Sequence, residues 1–175
     1  MNYCQLYRAD IANGPGVRVS LLVSGCHHHC PGCFNEVTWN PEYGKPYTKE
    51  TEEQILKALE PSYIRGLSLL GGEPFFLTNR VPLLDLLIKV RKAYPEKDIW
   101  CFTGAEWEDL LPGGKEYDDA GAQMLKLIDV LVAGRFIIGE KDLSLAFRGS
   151  RNQYILDVKA SLEQKKRVVL DYDQK

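Results

Sequence analysis

Residues 17–23 (VRVSLLV) form an apolar, β-branched run that breaks at Ser24-Gly25, which predicts a strand feeding into a loop. Residues 67–70, 99–102 and 130–132 are shorter runs of the same kind and predict buried strands, the first stopping at Gly71-Gly72. Helical spacing fills the intervals. Thr51-Glu52-Glu53-Gln54 has capping-box spacing, and Ile55, Leu56 and Leu59 follow as a stripe stopped by Pro61. A second helix is predicted over 80–94, with Pro82 in its first turn and Val81, Leu84, Leu87, Ile88 and Arg91 on one face. A third covers 120–128, after the break at Pro112-Gly113-Gly114. The polar, Pro- and Gly-containing stretch 40–47 reads as a loop. The tail predicts a strand over 154–158, a short polar helix or turn, and an apolar run at 168–170.

Strands alternating with helices imply crossover connections, hence an α/β fold with a mainly parallel sheet. Ligands of such sheets collect beyond the carboxyl ends of the strands. The loops after Val23 and Leu70 both lie at such ends, on one rim.

Composition narrows the classes. A chain of 175 residues fits one domain spanning 1–175, and 45% hydrophobic with 26% charged residues is ordinary for a globular protein. A net charge of -2 argues against a nucleic-acid partner. No apolar run approaches the roughly 20 residues of a membrane span, and Met1-Asn2-Tyr3-Cys4-Gln5 lacks the basic and apolar regions of a signal peptide. A soluble, cytoplasmic protein is expected.

Of five cysteines, three crowd into Ser24-Gly25-Cys26-His27-His28-His29-Cys30-Pro31-Gly32-Cys33-Phe34, a C-x3-C-x2-C loop. Crowded thiols in such a chain hold metal or do redox chemistry more often than they build disulfides. Cys101, in an apolar run, reads as a small buried hydrophobe, and Cys4 stands alone. Three sulfurs on one tight loop suit a tetrahedral zinc completed by His27, His28 or His29, or an iron–sulfur cluster with one iron left without a protein ligand. Spacing alone does not choose. The consecutive histidines cannot all face one metal, and they read as exposed loop residues.

The second rim loop, Leu69-Leu70-Gly71-Gly72-Glu73-Pro74, ends a buried strand in bare backbone. Two glycines there let a ligand approach main-chain groups, or serve a turn that needs positive φ. Glu73 adds a carboxylate that would balance a cationic amine.

C-x3-C-x2-C after one strand and G-G-E-P after the next resembles the radical S-adenosylmethionine (SAM) enzymes. Asn13-Gly14-Pro15-Gly16, Ser24-Gly25-Cys26, Cys33-Phe34-Asn35, Thr38-Trp39, Asp98-Ile99-Trp100, Thr103-Gly104, Arg148-Gly149-Ser150 and Asn152-Gln153 narrow the likeness to glycyl-radical-enzyme activases, in particular those serving anaerobic ribonucleoside-triphosphate reductase. The likeness runs from Met1 to about Gln153, leaving 153–175 as a C-terminal extension. Ala133-Gly134 stands where such proteins usually show Asp-Gly, and Phe147 where they show Trp.

The resemblance implies a truncated, partial (β/α) barrel. It implies a [4Fe-4S] cluster on Cys26, Cys30 and Cys33, with SAM beside Gly32, Cys33 and Phe34 and its amine at Gly72 and Glu73. No catalytic residue beyond cluster and SAM is implied. Reductive cleavage of SAM would give a 5′-deoxyadenosyl radical that removes a hydrogen from a glycine of the reductase large subunit. A flavodoxin or ferredoxin would supply the electron. Arg148, Asn152 and the polar tail are expected to help form the partner surface. Two other readings stay open: a small-molecule radical SAM enzyme resembling the 7-carboxy-7-deazaguanine synthases, and a zinc-stabilised binding module without catalysis.

Overall fold

The computed structural model describes residues 1–173. In chain order its regular elements are β1 (Asn2–Asp10), β2 (Val17–Val23), β3 (Lys45–Pro46), α1 (Lys49–Leu59), β4 (Ile64–Gly71), α2 (Leu77–Ala93), β5 (Asp98–Phe102), α3 (Asp119–Leu127), β6 (Val130–Ala133), β7 (Tyr154–Asp157) and α4 (Val158–Gln164). The strands form one sheet in the order β3-β1-β2-β4-β5-β6-β7. Its middle is parallel, with Leu21 beside Leu69, Leu69 beside Cys101 and Cys101 beside Leu131. Both flanks are antiparallel, β1 against β2 and β3, and β7 against β6. The mainly parallel α/β core is therefore as expected; β3 and β7 are edges, so the sheet is open and not a closed barrel. The turn-backs at both flanks replace the further parallel strands that closure would need.

Side chains alternate between two unlike faces. Val19, Leu21, Val23, Leu67, Leu69, Ile99, Cys101 and Leu131 join the main core with Ile55, Leu59, Leu83, Leu87 and Met124 from the helices. Burial of each such leucine contributes roughly 1.5–3 kcal/mol. The intervening residues meet no helix layer. Trp100, Val130, Val132 and Ile155 make a smaller cluster there with Phe102, Phe147, Leu170 and Tyr172.

Next to that cluster lies buried polar structure. The Arg18 guanidinium contacts Asp98 Oδ1 at 2.6 Å, donates from Nε to Ser68 Oγ at 2.7 Å, and lies 5.6 Å from the Trp100 ring centroid. Ser68 Oγ in turn donates to the Asn13 carbonyl at 2.6 Å. Asp10 accepts from Ala12 N, Asn13 Nδ2 and Ser20 Oγ. These bonds bind the segment between β1 and β2 to the helix-free face, where satisfied partners make buried polar groups tolerable.

Three local expectations change. Helix α1 begins one turn before the expected cap: Thr48 is the N-cap and forms the capping box with Thr51. Helix α2 begins at Leu77, so Pro82 lies inside it, and the expected stripe is rotated, with Val81 and Ile88 exposed while Leu83, Leu86, Leu87 and Val90 are buried. The exposed Val81 and Ile88 lie on the same side as Asp85 and Lys89, so apolar spacing alone does not select the buried face. Asn79 and Arg80 anchor it through Asn79 Nδ2 to the Ser24 carbonyl (2.8 Å) and Arg80 Nε to the Phe75 carbonyl (2.5 Å). Strand β1 was not expected from the pattern, because its residues are only partly buried and carry little apolar signal.

Candidate functional site

At the carboxyl ends of the parallel strands, on the helix-free face, lies a cavity of about 570 Å³. Its floor comprises Leu70, Gly71 and Gly72 at the end of β4, Phe102, Thr103 and Gly104 at the end of β5, and Val132 and Gly134 at the end of β6. One wall is the cysteine loop, with Cys26, Cys30 and Cys33 all lining the cavity. Ala12 and Asn13 border it on one side, and Phe147, Arg148, Gly149 and Gln153 on another. The two rim loops singled out in the sequence do come together, and the cavity lies between them and the C-terminal third of the chain.

Backbone bonds pin the cysteine loop between two others. Gly25 N donates to the Thr38 carbonyl (2.7 Å), Gly72 N to Val23 (2.7 Å) and Glu73 N to Gly25 (2.7 Å). Gly71 has φ 107, and a Cβ on Gly72 would lie 2.6 Å from the Gly25 carbonyl oxygen. Both glycines are thus required by the turn and by close packing of one loop on the other, as well as by the bare floor they leave. Cys30-Pro31-Gly32-Cys33 is a tight turn closed by Cys33 N to the Cys30 carbonyl (3.0 Å), with Gly32 at φ 75. Proline second and a positive-φ glycine third are the requirements of a type II turn. It sets Cys30 and Cys33 on one side.

All five cysteines are thiols. Burial pushes the Cys26 thiol up to about 11, an effect that the backbone amides of His28 and His29 only partly offset. Its ionisation therefore needs a cation close by. Among the described residues, no group of three or more His, Cys, Asp or Glu side chains is gathered tightly enough for a single metal ion. Three soft sulfur donors on one cavity wall are the donor chemistry of an iron–sulfur cluster.

The His27 and His28 rings lie 4.3 Å apart between centroids, yet each histidine takes a different partner. His27 Nε2 meets Glu116 Oε1 at 2.6 Å, His28 Nε2 meets Glu73 Oε2 at 2.6 Å, and the His29 ring stacks on Trp39 with centroids 4.5 Å apart. His28 is therefore not the exposed loop residue expected; its side chain is 10% exposed.

Glu73 is fully buried and does not line the cavity. Its carboxylate accepts from Phe75 N (2.9 Å), Thr103 Oγ1 (2.8 Å), Gly104 N (2.8 Å) and His28. Burial alone would raise its pKa, but His28 and the two amides outweigh that and hold it below the ordinary carboxylate range. Its charge is spent on joining the cysteine loop, its own loop and the loop after β5. Any influence on an amine at Gly72 would act through the field rather than by contact.

Phe34 and Leu143 both line the cavity yet are 97% and 88% exposed, which places them at its mouth. Asn152 Nδ2 donates to the Arg135 carbonyl and its Oδ1 accepts from Ser150 Oγ, and Arg148 is held by the Gln153 carbonyl and Asp173. Both expected partner-surface residues thus have internal roles. Lys141, Leu143 and Phe136 line the cavity without any signal in the sequence, because they come from an irregular segment with no period or motif.

Residues 12–156 match the 4Fe-4S single cluster domain family. The chain is 45% identical over 157 residues to the anaerobic ribonucleoside-triphosphate reductase-activating protein of Escherichia coli (strain K12), covering 89% of this chain and 97% of that protein. The protein of the same description from Vibrio cholerae serotype O1 is 45% identical with the same coverage. That of Enterobacteria phage T4 is 41% identical over 155 residues, covering 87% of this chain and 92% of the phage protein.

Proposed function

Since the chain belongs to the 4Fe-4S single cluster domain family and to the anaerobic ribonucleoside-triphosphate reductase-activating proteins, we propose that it activates such a reductase as a radical SAM enzyme. The observation that carries this reading is the shared cavity: three thiols on one wall, and the bare glycine loop between that wall and the strand ends. Cys26, Cys30 and Cys33 would hold the cluster, whose chemistry, when bound, is reductive cleavage of SAM to the 5′-deoxyadenosyl radical that abstracts a glycine α-hydrogen on the reductase.

The chain's own residues do the placing. The type II turn and the clamp at Gly25 set the three sulfurs, and Gly71 and Gly72 leave main-chain groups open to the amine and carboxylate of the methionine moiety. Gly32, Cys33 and Phe34 would flank that ligand. Glu73, which does not line the cavity, pairs with His28, which does, and the pair keeps the glycine loop and the cysteine loop in register. Leu70, Phe102 and Val132 supply apolar floor that excludes water, as a reactive carbon radical requires. The exposed Phe34 and Leu143 at the mouth suit a macromolecular substrate whose own loop completes the enclosure. The reductase large subunit is that substrate, and a flavodoxin or ferredoxin would deliver the electron.

Anaerobic reconstitution with ferrous salt and sulfide tests the reading. About four iron and four sulfide per chain are expected, together with 5′-deoxyadenosine formation and, with the reductase present, a carbon-radical doublet in electron paramagnetic resonance. Cys30→Ala should lose the cluster and all SAM cleavage. Full cleavage by that variant, or one zinc per chain without sulfide, would overturn the assignment.

A further inference from the structure

We propose that the segment from Arg167 to Asp173 is a positioning strap: it grips the cavity wall at Phe147 and Arg148 and so sets how tightly the cavity holds its adenosyl ligand. The ligand half of the proposal rests on the reading that the cavity takes SAM; the grip itself does not.

The strap is built onto the open edge of the sheet. Asp157 N donates to the Val168 carbonyl (3.0 Å), Leu170 N donates to the Ile155 carbonyl (2.8 Å), and Leu156 pairs with Val169 in an antiparallel bridge. Arg167 is braced where the segment starts, 4.2 Å from the Tyr154 ring centroid and bonded to Glu106 and Glu108. These anchors carry the chain across the helix-free face to the cavity wall.

There it makes two grips. The Tyr172 ring meets Trp100 at 5.3 Å and Phe147 at 5.7 Å between centroids, and Trp100 meets Phe147 at 5.3 Å, so three aromatic rings close edge to face. Asp173 accepts from Ala146 N (2.8 Å) and pairs with the Arg148 guanidinium. Phe147 sits at φ 57, a left-handed conformation that a side-chain-bearing residue adopts only when its surroundings hold it. Phe147 and Arg148 are two of the residues this wall offers to the cavity, and each is held by one strap residue. The strap lies beyond residue 156, outside the family match. A wall ordered before the ligand arrives lowers the cost of binding it, whereas the thiols and the glycine loop are held by other contacts.

Tyr172→Ala and Asp173→Ala in the full chain test this, with Tyr172→Phe as the conservative control. Trypsin cleavage at Arg148 and Arg151 should be about tenfold faster in the alanine variants, because local opening controls access, and unchanged in Tyr172→Phe. In reconstituted protein, the dissociation constant for SAM should rise about five- to tenfold, with KM following it while kcat, iron and sulfide stay at the wild-type values. Should Tyr172→Ala melt as a whole, Asp173→Ala carries the same expectation on a solvent-accessible carboxylate. Wild-type affinity in the alanine variants, or lost kcat at unchanged affinity, overturns the strap. A wild-type protein that takes up a cluster but binds no SAM overturns instead the reading of the cavity, and the proteolysis still decides the grip.

Discussion

Leu67 and Leu69 on β4 pack under the helices, while Ser68 and Leu70, their immediate neighbours, serve the opposite face. On β5, Ile99 and Cys101 join the main core, while Trp100 and Phe102 join the smaller cluster beside the cavity. The helix-covered face is almost uniformly aliphatic, filled by elements that follow one another along the chain. The other is a mixture of buried arginine, serine, aromatic rings and main-chain bonds, assembled from the first twenty residues, three loops and the C-terminal end. One face solves the problem of stability and tolerates any well-packed apolar set. The other fixes positions, and each of its polar groups needs a particular partner.

Mutations on the two faces should therefore fail differently. The largest effect on stability is expected for Leu69→Ala, which leaves a cavity under the helices: roughly 3 kcal/mol lost in urea denaturation, with SAM affinity of the folded fraction unchanged. A large fall in affinity at that position would dissolve the distinction between the faces.

Glu73→Gln should cost less, about 2 kcal/mol at neutral pH, since it turns an acceptor of buried amides partly into a donor. The pH dependence identifies the cause. A carboxyl held below its ordinary value of 4.5 contributes stability that is complete above that value and is lost as pH falls through the depressed folded value. The gap between wild type and variant should thus be constant near neutrality and narrow below about pH 4.5. A gap that persists unchanged into acid would show that the carboxylate's charge is not what the clamp uses.

Thr48→Ala should be the mildest, removing the cap and half the capping box of α1, far from the cavity. It should cost about 1 kcal/mol by urea denaturation, leaving iron content and SAM cleavage untouched.

These contrasts match how far each face could be read in advance. The strands β2, β4, β5 and β6 and the helix α3 follow directly from apolar runs and turn residues. Two elements are not legible in this way: on α2 the apolar Val81 and Ile88 share the exposed side with Asp85 and Lys89 and mimic a buried stripe, and β1 is only half buried. In the site, the three thiols and the glycine loop were legible, since C-x3-C-x2-C and G-G-E-P are contiguous. The clamp by Glu73 was not, because its partners are 30 and 45 residues away at Thr103 and His28.

Local order along the chain was enough to establish which segments are strands and helices, that the strand ends share a rim, and that three sulfurs can meet on one loop. Each of these depends on side-chain period or on turn chemistry within a few residues. The three-dimensional packing alone decided that the sheet stays open, that the three histidines take different partners, that Glu73 is a buttress rather than a lining residue, and that the tail returns to hold Phe147 and Arg148. Those outcomes depend on contacts between residues far apart in the chain, such as Arg135 with the His28 carbonyl 107 positions earlier, and no local pattern encodes which of many possible partners a side chain will reach.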